Sequence, residues 1–455
     1  MIAHRVFRKK ERRIWVEIEM SQNPNAYMKY VFLLGYIVTF LITTILNKLS
    51  FATNKNPATL FCCLWCVVGF VSNLGIHEYY PPSDIVNVTI ITGIITYSLF
   101  TMLFFNRFPK DNFSKLLIVG NDYVSVGLIV LTNIACLVFE YPLLVRSMQL
   151  ISIYGMAYTR AFNAGVYGSV LRAQISEVFI KPIFTAITII TIIKSFDRDY
   201  KHKKLLIILT IADNVVLTII TAGRAPIVNA VFYLLITLVL VRGSRILNII
   251  KKDKRKIVYL FLAAALIVVF SSMRIGNAIG IKEILDSIYV YYFSGPSYFS
   301  RLLENVTEYG IGGKLLFGQA TFGFIINWGI VLLDPLFGGR LETSLNILGS
   351  TITSRQLLVG THTLLNSMCT VFYDFIVDWG YCGIVLGPIC LSLITSIIYK
   401  RYFKRPVLLN LVILIFFINV LIRTVFKWDM INTDFFVIYF FSKAVTSIHF
   451  KTKKT

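Results

Sequence analysis

Long apolar stretches separated by short polar segments run through the whole chain. A helix needs about 20 apolar residues to cross the roughly 30 Å hydrocarbon core of a bilayer. Eleven stretches approach that length, and each is continuous in Leu, Ile, Val and Phe, whereas the strands of membrane barrels alternate apolar and polar residues. The pattern predicts an all-α polytopic bundle of about 11 to 12 transmembrane helices, forming one integral membrane domain over residues 1–455. The candidate spans are 30–47, 58–76, 85–105, 123–142, 178–193, 205–221, 225–241, 257–273, 379–398, 408–426 and 433–449.

Clusters of Lys and Arg between the later spans predict the orientation of this bundle. Short cytoplasmic loops of membrane proteins carry more Lys and Arg than outer loops. Such clusters occur at 194–204, 242–256 and 400–405 and in the carboxyl-terminal tail. With all of them in the cytoplasm, residues 143–177 form a smaller outer loop and residues 274–366 form a large extracytoplasmic loop.

The amino-terminal arm does not fit this alternation. Its basic residues favour the cytoplasm, but counting the spans backwards places the arm outside. We therefore favour an undetected crossing in the first 180 residues and an amino terminus on the inside. The basic residues of the arm are Arg5, Arg8, Lys9, Lys10, Arg12, Arg13 and Lys29.

Composition narrows the class of protein. Of the 455 residues, 56% are hydrophobic and 15% are charged, whereas soluble domains are about 25% charged, so a soluble globular fold is excluded. The net charge of +22 lies in short clusters between apolar runs, and nucleic acid is therefore not an expected partner. The seven cysteines lie in or beside apolar stretches, which predicts no disulfide framework. Cys63 and Cys66 form a single CxxC without a second pair or a nearby His, so no metal site is expected there.

The large outer loop, 274–366, is predicted to carry the functional site. Connections between packed elements are usually a few residues long, and much longer ones are usually functional. Its positive and negative charges balance, which favours discrete cationic contacts over a diffuse basic surface. Within it, the apolar and aromatic segment 315–337 contains Asn327 and Asp334, and we expect it to lie in the membrane interface or to cap the bundle.

Arginines near the predicted outer ends of spans are candidate phosphate ligands. Arg224 follows Gly223 in a turn, Arg274 follows the eighth span, and Arg423 lies near the outer end of the tenth. A guanidinium group keeps its charge and offers a fork of donors that suits phosphate oxygens. The alternative is that each arginine extends to lipid headgroups. Arg301 and Arg355 in the large loop are further candidates of the same kind.

Asp213 lies near the middle of the sixth span, where an ionisable group is costly and often functional. One explanation is a proton or ion path. The other is an internal hydrogen bond or ion pair that stabilises the bundle, and we favour it because we find no second acidic residue deep in another span.

His362 precedes the ninth span from the large outer loop. An imidazole there is a candidate general base for a sugar hydroxyl, and helix capping is the structural alternative. Asp374 and Asp378 are four residues apart and share one face if the segment is helical. They are candidates for acid and base chemistry or for holding the start of the ninth helix, whose amino end favours negative charge.

Several motifs that would indicate other chemistry are missing from the sequence. We find no GxxxxGK[ST], HExxH or GxSxG segment, so nucleotide-dependent and metal-dependent hydrolysis lack sequence support. No cofactor and no metal are expected.

Four segments carry a family resemblance. They are the turn Thr221-Ala222-Gly223-Arg224-Ala225-Pro226 before an apolar helix, Tyr292-Phe293-Ser294-Gly295-Pro296 before Arg301, Tyr373-Asp374-Phe375 leading through Trp379-Gly380 to a membrane entry, and Asn56-Pro57 with Trp65 in the second span. With them the chain resembles the Wzy-type oligosaccharide repeat-unit polymerases, bacterial membrane enzymes that build O-antigen and capsule-type polysaccharides. The related O-antigen ligases place a functional His in the large outer loop before a helix, as His362 is placed here.

The resemblance implies a metal-independent glycosyltransferase of the bacterial cytoplasmic membrane. It would polymerise undecaprenyl-diphosphate-linked oligosaccharides into O-antigen, capsule or exopolysaccharide at the outer face, with membrane lipids and a chain-length regulator as further candidate partners. Arg224, Arg274 and Arg301 would bind diphosphates, and His362 would act as the base. Two alternatives stay open, namely a flippase or transporter of the same lipid-linked units and another polyprenyl-dependent membrane glycosyltransferase.

Overall fold

The computed structural model describes most of the chain and confirms an all-α membrane bundle. The described residues are 24–51, 56–76, 79–105, 122–161, 163–197, 200–242, 289–304, 309–337, 341–349, 356–361, 363–365 and 369–448. Ten of the eleven predicted spans coincide with helices, and the remaining one, 257–273, lies outside the described residues.

The first half of the chain contains nine helices among the described residues. They are α1 (Pro24–Phe51), α2 (Pro57–Asn73), α3 (Asp84–Phe105), α4 (Val126–Ala161), α5 (Asn163–Tyr167), α6 (Val170–Ile175), α7 (Lys181–Ser195), α8 (Lys203–Ile220) and α9 (Ala225–Arg242). A π-helical turn, Ser176–Ile180, joins α6 to α7 without a break. Local sequence explains the sharp start of α2, where the Asn56 side chain accepts a hydrogen bond from the Thr59 amide at 2.8 Å and Pro57 supplies a preset backbone angle.

The second half contains short helices before the last long ones. These are α10 (Gly295–Glu304), α11 (Gly323–Leu333), α12 (Ser344–Leu348), α13 (Val371–Trp379), α14 (Gly383–Lys404), α15 (Leu408–Arg423) and α16 (Asp434–Ser447). Single 3-10 turns follow α11, α13 and α15, at Asp334–Phe337, Gly380–Cys382 and Asp429–Ile431. A two-residue antiparallel pair joins β1 (Leu357–Leu358) to β2 (Leu364–Leu365).

Five helical stretches of the described residues are long and apolar enough to cross a membrane. They are Tyr27–Phe51, Asp84–Phe105, Val126–Met156, Leu171–Ser195 and Val371–Lys404. Three shorter apolar helices accompany them, Pro57–Asn73, Ala225–Leu240 and Leu408–Arg423. The fold is thus that of an integral membrane protein.

The helix ends meet at two opposite ends of the bundle. At one end, which we call the basic end, Lys194 donates a hydrogen bond to the Asp122 carbonyl at 2.8 Å, and the Asp122 carboxylate accepts one from the Leu408 amide. Lys400 donates to the Phe104 carbonyl at this same end. These contacts bring together the segments that are rich in Lys and Arg.

The other end, which we call the cap end, joins the remaining connections. Lys29 donates a hydrogen bond to the Leu74 carbonyl at 3.0 Å, and Ser72 donates to the Phe293 carbonyl at 2.6 Å. Tyr80 donates its amide proton to the Val359 carbonyl at 2.9 Å. Residues predicted to be extracytoplasmic therefore cover this end.

In the described parts of residues 24–195 no crossing occurs beyond the five that were predicted. Helix α1 begins at the cap end, as the Lys29 contact shows, and α1, α2, α3, α4 and α7 run alternately between the two ends. The inside amino terminus stays a prediction, since the direction of α1 relative to the other helices does not assign a side of the membrane. Residues 1–23 lie outside the described part of the chain.

Residues 143–177, predicted as a smaller outer loop, are largely helical. Helix α4 continues for 36 residues, with non-helical backbone at Gly155. Hydropathy falls at Arg146 and Gln149, but polar residues of this kind are good helix formers, so the apolar pattern ends before the helix does. At Gly155 the φ angle of 79° lies in the left-handed region that glycine tolerates, and the chain changes direction there.

Segment 315–337 caps the bundle, as expected. Its backbone amides at Leu316 and Phe317 donate to the carbonyls of Val377 and Asp378 at 3.1 and 3.0 Å. Asn327 in α11 donates to the Ile431 carbonyl at 2.7 Å. These bonds fix the cap over the connection between α15 and α16.

That connection, residues 424–433, is largely buried although it lacks regular helix, and Lys427 is its exposed residue. Val425, Trp428 and Met430 are all nearly inaccessible to solvent. The connection between α15 and α16 is therefore packed into the cap end of the bundle.

Candidate functional site

A polar cavity lies beside the connection between α15 and α16. Its volume is about 340 Å³, which is within the usual range for small-molecule sites. Four cationic and three carboxylate side chains contribute to its walls. The lining residues are Arg160, Glu177, Lys181, Phe184, Thr185, Thr188, Asn214, Leu217, Thr221, Gly223, Ala225, Pro226, Asn229, Tyr233, Phe416, Asn419, Arg423, Lys427, Asp429, Asn432 and Asp434.

Two of the three carboxylates are bound to cations of the same wall. Asp429 lies 2.9 Å from the Arg423 guanidinium and 3.3 Å from the Lys427 ammonium group. Burial disfavours the ionised form of Asp429, but the two cations outweigh that effect and hold its pKa below the ordinary value. Glu177 accepts hydrogen bonds from Lys181 at 2.6 Å and from the Tyr167 hydroxyl at 2.5 Å.

The third carboxylate, Asp434, is the first residue of α16. Among the described residues it makes neither a hydrogen bond nor a salt bridge, although it lines the same cavity. Of the carboxylates in this wall it is therefore the one whose oxygens are available to accept a proton from a ligand.

Arg224 lies between two residues that line the cavity but is not itself part of the lining. The turn that carries it closes with a hydrogen bond from the Gly223 amide to the Thr218 carbonyl at 3.1 Å, and its neighbours Gly223 and Ala225 line the wall. The guanidinium carbon lies 4.6 Å from the centre of the Tyr291 ring. The turn predicted from sequence thus places an arginine next to the cavity, and Arg423 lies within the cavity wall itself.

Arg301 is placed elsewhere at the cap end. Its guanidinium carbon lies 4.9 Å from the Tyr80 ring centre, and its side chain bonds Glu304 at 2.5 Å. It does not line the cavity, so the structure does not group it with Arg423. Arg274, Arg355 and His362 lie outside the described residues.

Asp213 is fully buried in α8. The Asn133 amide group lies 2.8 and 2.7 Å from its two carboxylate oxygens. This contact between α4 and α8 is the internal hydrogen bond that we favoured. Asp213 does not line the cavity.

Asp378 is hydrogen-bonded to the cap segment 315–337. Its carboxylate accepts hydrogen bonds from the amides of Ala320 and Thr321 at 2.9 and 2.6 Å, and from the Thr321 hydroxyl at 2.6 Å. It thereby fastens the cap to α13. Asp374, one turn earlier, is also buried, and both lie on one helix as their spacing predicted.

Sequence reasoning missed Arg160, Lys181 and Lys427. A signal was present for Lys181, because it lies inside the predicted span 178–193, where a charged residue is rare and often functional. Arg160 had no such signal, since its segment was expected to be a loop. Only the turn at Gly155 and the packing of the helices bring it to the wall.

No family model, no curated protein and no solved structure matches the chain. The described residues also contain no group of three or more His, Cys, Asp or Glu side chains that could hold a metal ion.

Proposed function

We propose that the protein is a membrane glycosyltransferase that joins polyprenyl-diphosphate-linked oligosaccharide units into a polysaccharide at the outer face of a bacterial cytoplasmic membrane. The observation that carries this proposal is the cavity at the cap end, which Arg160, Lys181, Arg423 and Lys427 all line. The sequence resemblance to repeat-unit polymerases supports the same reading.

A diphosphate suits this arrangement of charges. Four cations in a space of about 340 Å³ repel one another, and three carboxylates compensate them only in part. An anionic ligand would relieve the repulsion, and Arg423 and Lys427 would exchange part of their contact with Asp429 for contacts with phosphate oxygens.

The same cations would assist the transfer. The acceptor hydroxyl oxygen bonds to the anomeric carbon of the donor sugar, and the bond from that carbon to the diphosphate oxygen breaks. The hydroxyl proton passes to a base, and the lipid diphosphate leaves with the additional negative charge. Fixed cations stabilise charge that develops on a leaving group, so this chemistry requires no nucleotide.

Two residues are candidates for the base. His362 keeps the role that the family resemblance implies, and Asp434 is the cavity carboxylate without a hydrogen bond or salt bridge among the described residues. If Asp434 is the base, Asp434→Asn should abolish transfer without weakening the binding of the lipid-linked donor.

A carrier of the same lipid-linked units is the second candidate function. The cationic cavity would serve a carrier as well, because it would hold the diphosphate of a unit that is moved across the membrane. The two functions differ in what accumulates when the cavity is disabled. A disabled polymerase leaves single repeat units at the outer face, whereas a disabled carrier leaves them at the inner face.

The test uses a strain that lacks its own polymerase and produces this protein. We expect Arg423→Gln and Lys181→Gln to reduce long-chain polysaccharide by about 100-fold, as the loss of a transition-state charge contact does in other enzymes. Arg401→Gln is the matched control, because Arg401 lies at the basic end and bonds the Tyr439 hydroxyl at 3.0 Å. Normal ladders from both cavity variants, at equal protein levels, would refute the proposal.

A further inference from the structure

The cavity wall changes character with depth below the cap end. On α15, Arg423 lies at the cap end, while Asn419 and Phe416 lie one and two turns deeper. On the neighbouring segments, Thr221, which directly follows α8, and Ala225 of α9 are at the cap end, whereas Asn214 and Tyr233 are deeper. The separation of seven positions between Arg423 and Phe416 corresponds to about 10 Å along the helix axis.

The charged side chains are confined to the upper level. Glu177 and Lys181 precede Thr185 and Thr188 on the same helical segment, which descends towards the basic end. Asp429 and Asp434 belong to the connection above α15 and to the first turn of α16. The lower level, which we call the floor, is lined by neutral groups alone: Phe184, Thr188, Asn214, Leu217, Asn229, Tyr233, Phe416 and Asn419.

Two asparagine side chains of the floor have amide oxygens that can accept a hydrogen bond from a ligand. The Asn419 side chain donates to the Tyr233 hydroxyl at 3.3 Å, but its buried Oδ1 has no hydrogen-bond partner among the described residues. Asn214 uses its Nδ2 group to bond the Thr188 hydroxyl at 3.0 Å and the Thr210 carbonyl at 2.8 Å. This leaves the Asn214 Oδ1 as the group available to a ligand.

A buried acceptor without a donor is costly, so the floor suits a ligand that donates hydrogen bonds. A metal cation or ammonium group would lie below four positively charged side chains, which disfavours it. A carboxylate would meet no cation among the floor residues. Neutral hydroxyl groups satisfy the amide oxygens without either penalty, and the rings of Tyr233 and Phe416 provide apolar surface beside them.

We infer that the floor of the cavity is a subsite for an uncharged, hydroxyl-rich sugar, located beneath the cations that would hold the diphosphate. This inference rests on the proposed function and adds to it the identity of the group next to the diphosphate. It predicts that the sugar attached directly to the lipid diphosphate is neutral rather than a uronic acid.

The test compares two probes on the full-length protein in lipid nanodiscs. One probe is undecaprenyl diphosphate, and the other is the undecaprenyl-diphosphate-linked repeat unit extracted from the cells that make it. We expect Asn419→Leu to weaken binding of the repeat unit about 5- to 10-fold, the loss typical of a neutral hydrogen bond, and to leave binding of undecaprenyl diphosphate unchanged. Arg423→Gln should weaken binding of both probes.

Asn47→Leu provides the matched control. Asn47 is a buried asparagine of α1 whose Oδ1 also has no hydrogen-bond partner among the described residues, but it does not line the cavity. This variant should change neither affinity. Tyr233→Phe keeps the ring and removes the floor hydroxyl, so it supplies a second floor variant if Asn419→Leu does not fold.

Each outcome separates the inference from the function on which it rests. One outcome is that the floor variants weaken binding of both probes equally, or of neither, while Arg423→Gln weakens binding of both. In that case the floor subsite is refuted and the diphosphate site stands. If binding of the repeat unit requires Na⁺, the floor holds a cation and the inference is overturned. If the unmodified protein binds neither probe, the proposed function fails and the floor subsite fails with it.

Discussion

Individual ion pairs determine which charges the cavity can offer to a ligand. Asp429 forms salt bridges with both Arg423 and Lys427, and Glu177 forms one with Lys181. A buried carboxylate that holds two cations keeps them in place without neutralising both. The pairs therefore keep the cations in position and leave part of their charge available to an anion.

The ionisation of Asp429 predicts how the stability of the fold depends on pH. Because its pKa is lowered in the folded protein, the ionised carboxylate stabilises the fold above the ordinary Asp pKa of about 3.9, and this contribution is lost as pH falls through the lowered value. Asp429→Asn should therefore lower the melting temperature at pH 7, and the difference from the unmodified protein should shrink below about pH 4. Thermal unfolding in detergent from pH 3 to 7 measures it. A difference that does not change with pH would show that the lost carboxylate charge is not the cause.

Close helix packing fixes the elements that carry the site. Helix α13 folds back against the start of α14, and a Cβ atom at Gly383 would lie 2.0 Å from the Phe375 carbonyl oxygen. The turn between the two helices uses Gly380 with a φ angle of 60°. This hairpin holds Asp378 under the cap, so its geometry keeps segment 315–337 in place.

Gly383→Ala tests the hairpin. The added methyl group meets backbone atoms that cannot rotate away, and we expect a loss of at least about 1 to 3 kcal/mol in stability, as for other overpacked sites. Gly329→Ala in α11 is the control, because its Cβ would meet no atom within 4 Å and alanine favours helix by up to about 1 kcal/mol. Denaturant unfolding of the two variants compares them directly. Equal stability would mean that α13 and α14 can separate without cost.

A π-helical turn explains how Glu177 and Lys181 reach the cavity together. The π-helical turn Ser176–Ile180 precedes α7, and turns of this kind are often found at functional sites. Sequence patterns do not reveal such a turn, because it inserts a local irregularity into an otherwise apolar helix. The span 178–193 could be predicted from its composition. The direction in which its first side chains point could not.

At the scale of the whole molecule, the helices could be predicted and the cavity could not. Apolar length is a local property, so the spans from 30–47 to 225–241 were found without knowledge of packing. The cavity joins Arg160, Lys181 and Lys427, which lie in separate segments and meet only when α4, α7 and the connection 424–433 pack together. Arg224 and Arg423 were found because both end an apolar stretch.

The side of the membrane that the cap end faces is the last testable property. Lys and Arg at the basic end predict that this end lies in the cytoplasm and that the cap end is outside. Cys382, in the turn between α13 and α14, is exposed at the cap end, and Lys201 is exposed at the basic end. These two positions therefore report opposite sides of the bundle.

A membrane-impermeant maleimide added to intact spheroplasts should label Cys382 in a variant whose other six cysteines are replaced by Ser. In the same background, Cys382→Ser combined with Lys201→Cys should react only after the membrane is permeabilised. The reverse pattern would place the cavity at the cytoplasmic face, where a polymerase that acts on exported repeat units cannot use it. Labelling of both positions in intact cells would contradict the alternation of α8, α9 and the later helices, so the experiment tests the orientation on which the proposed function depends.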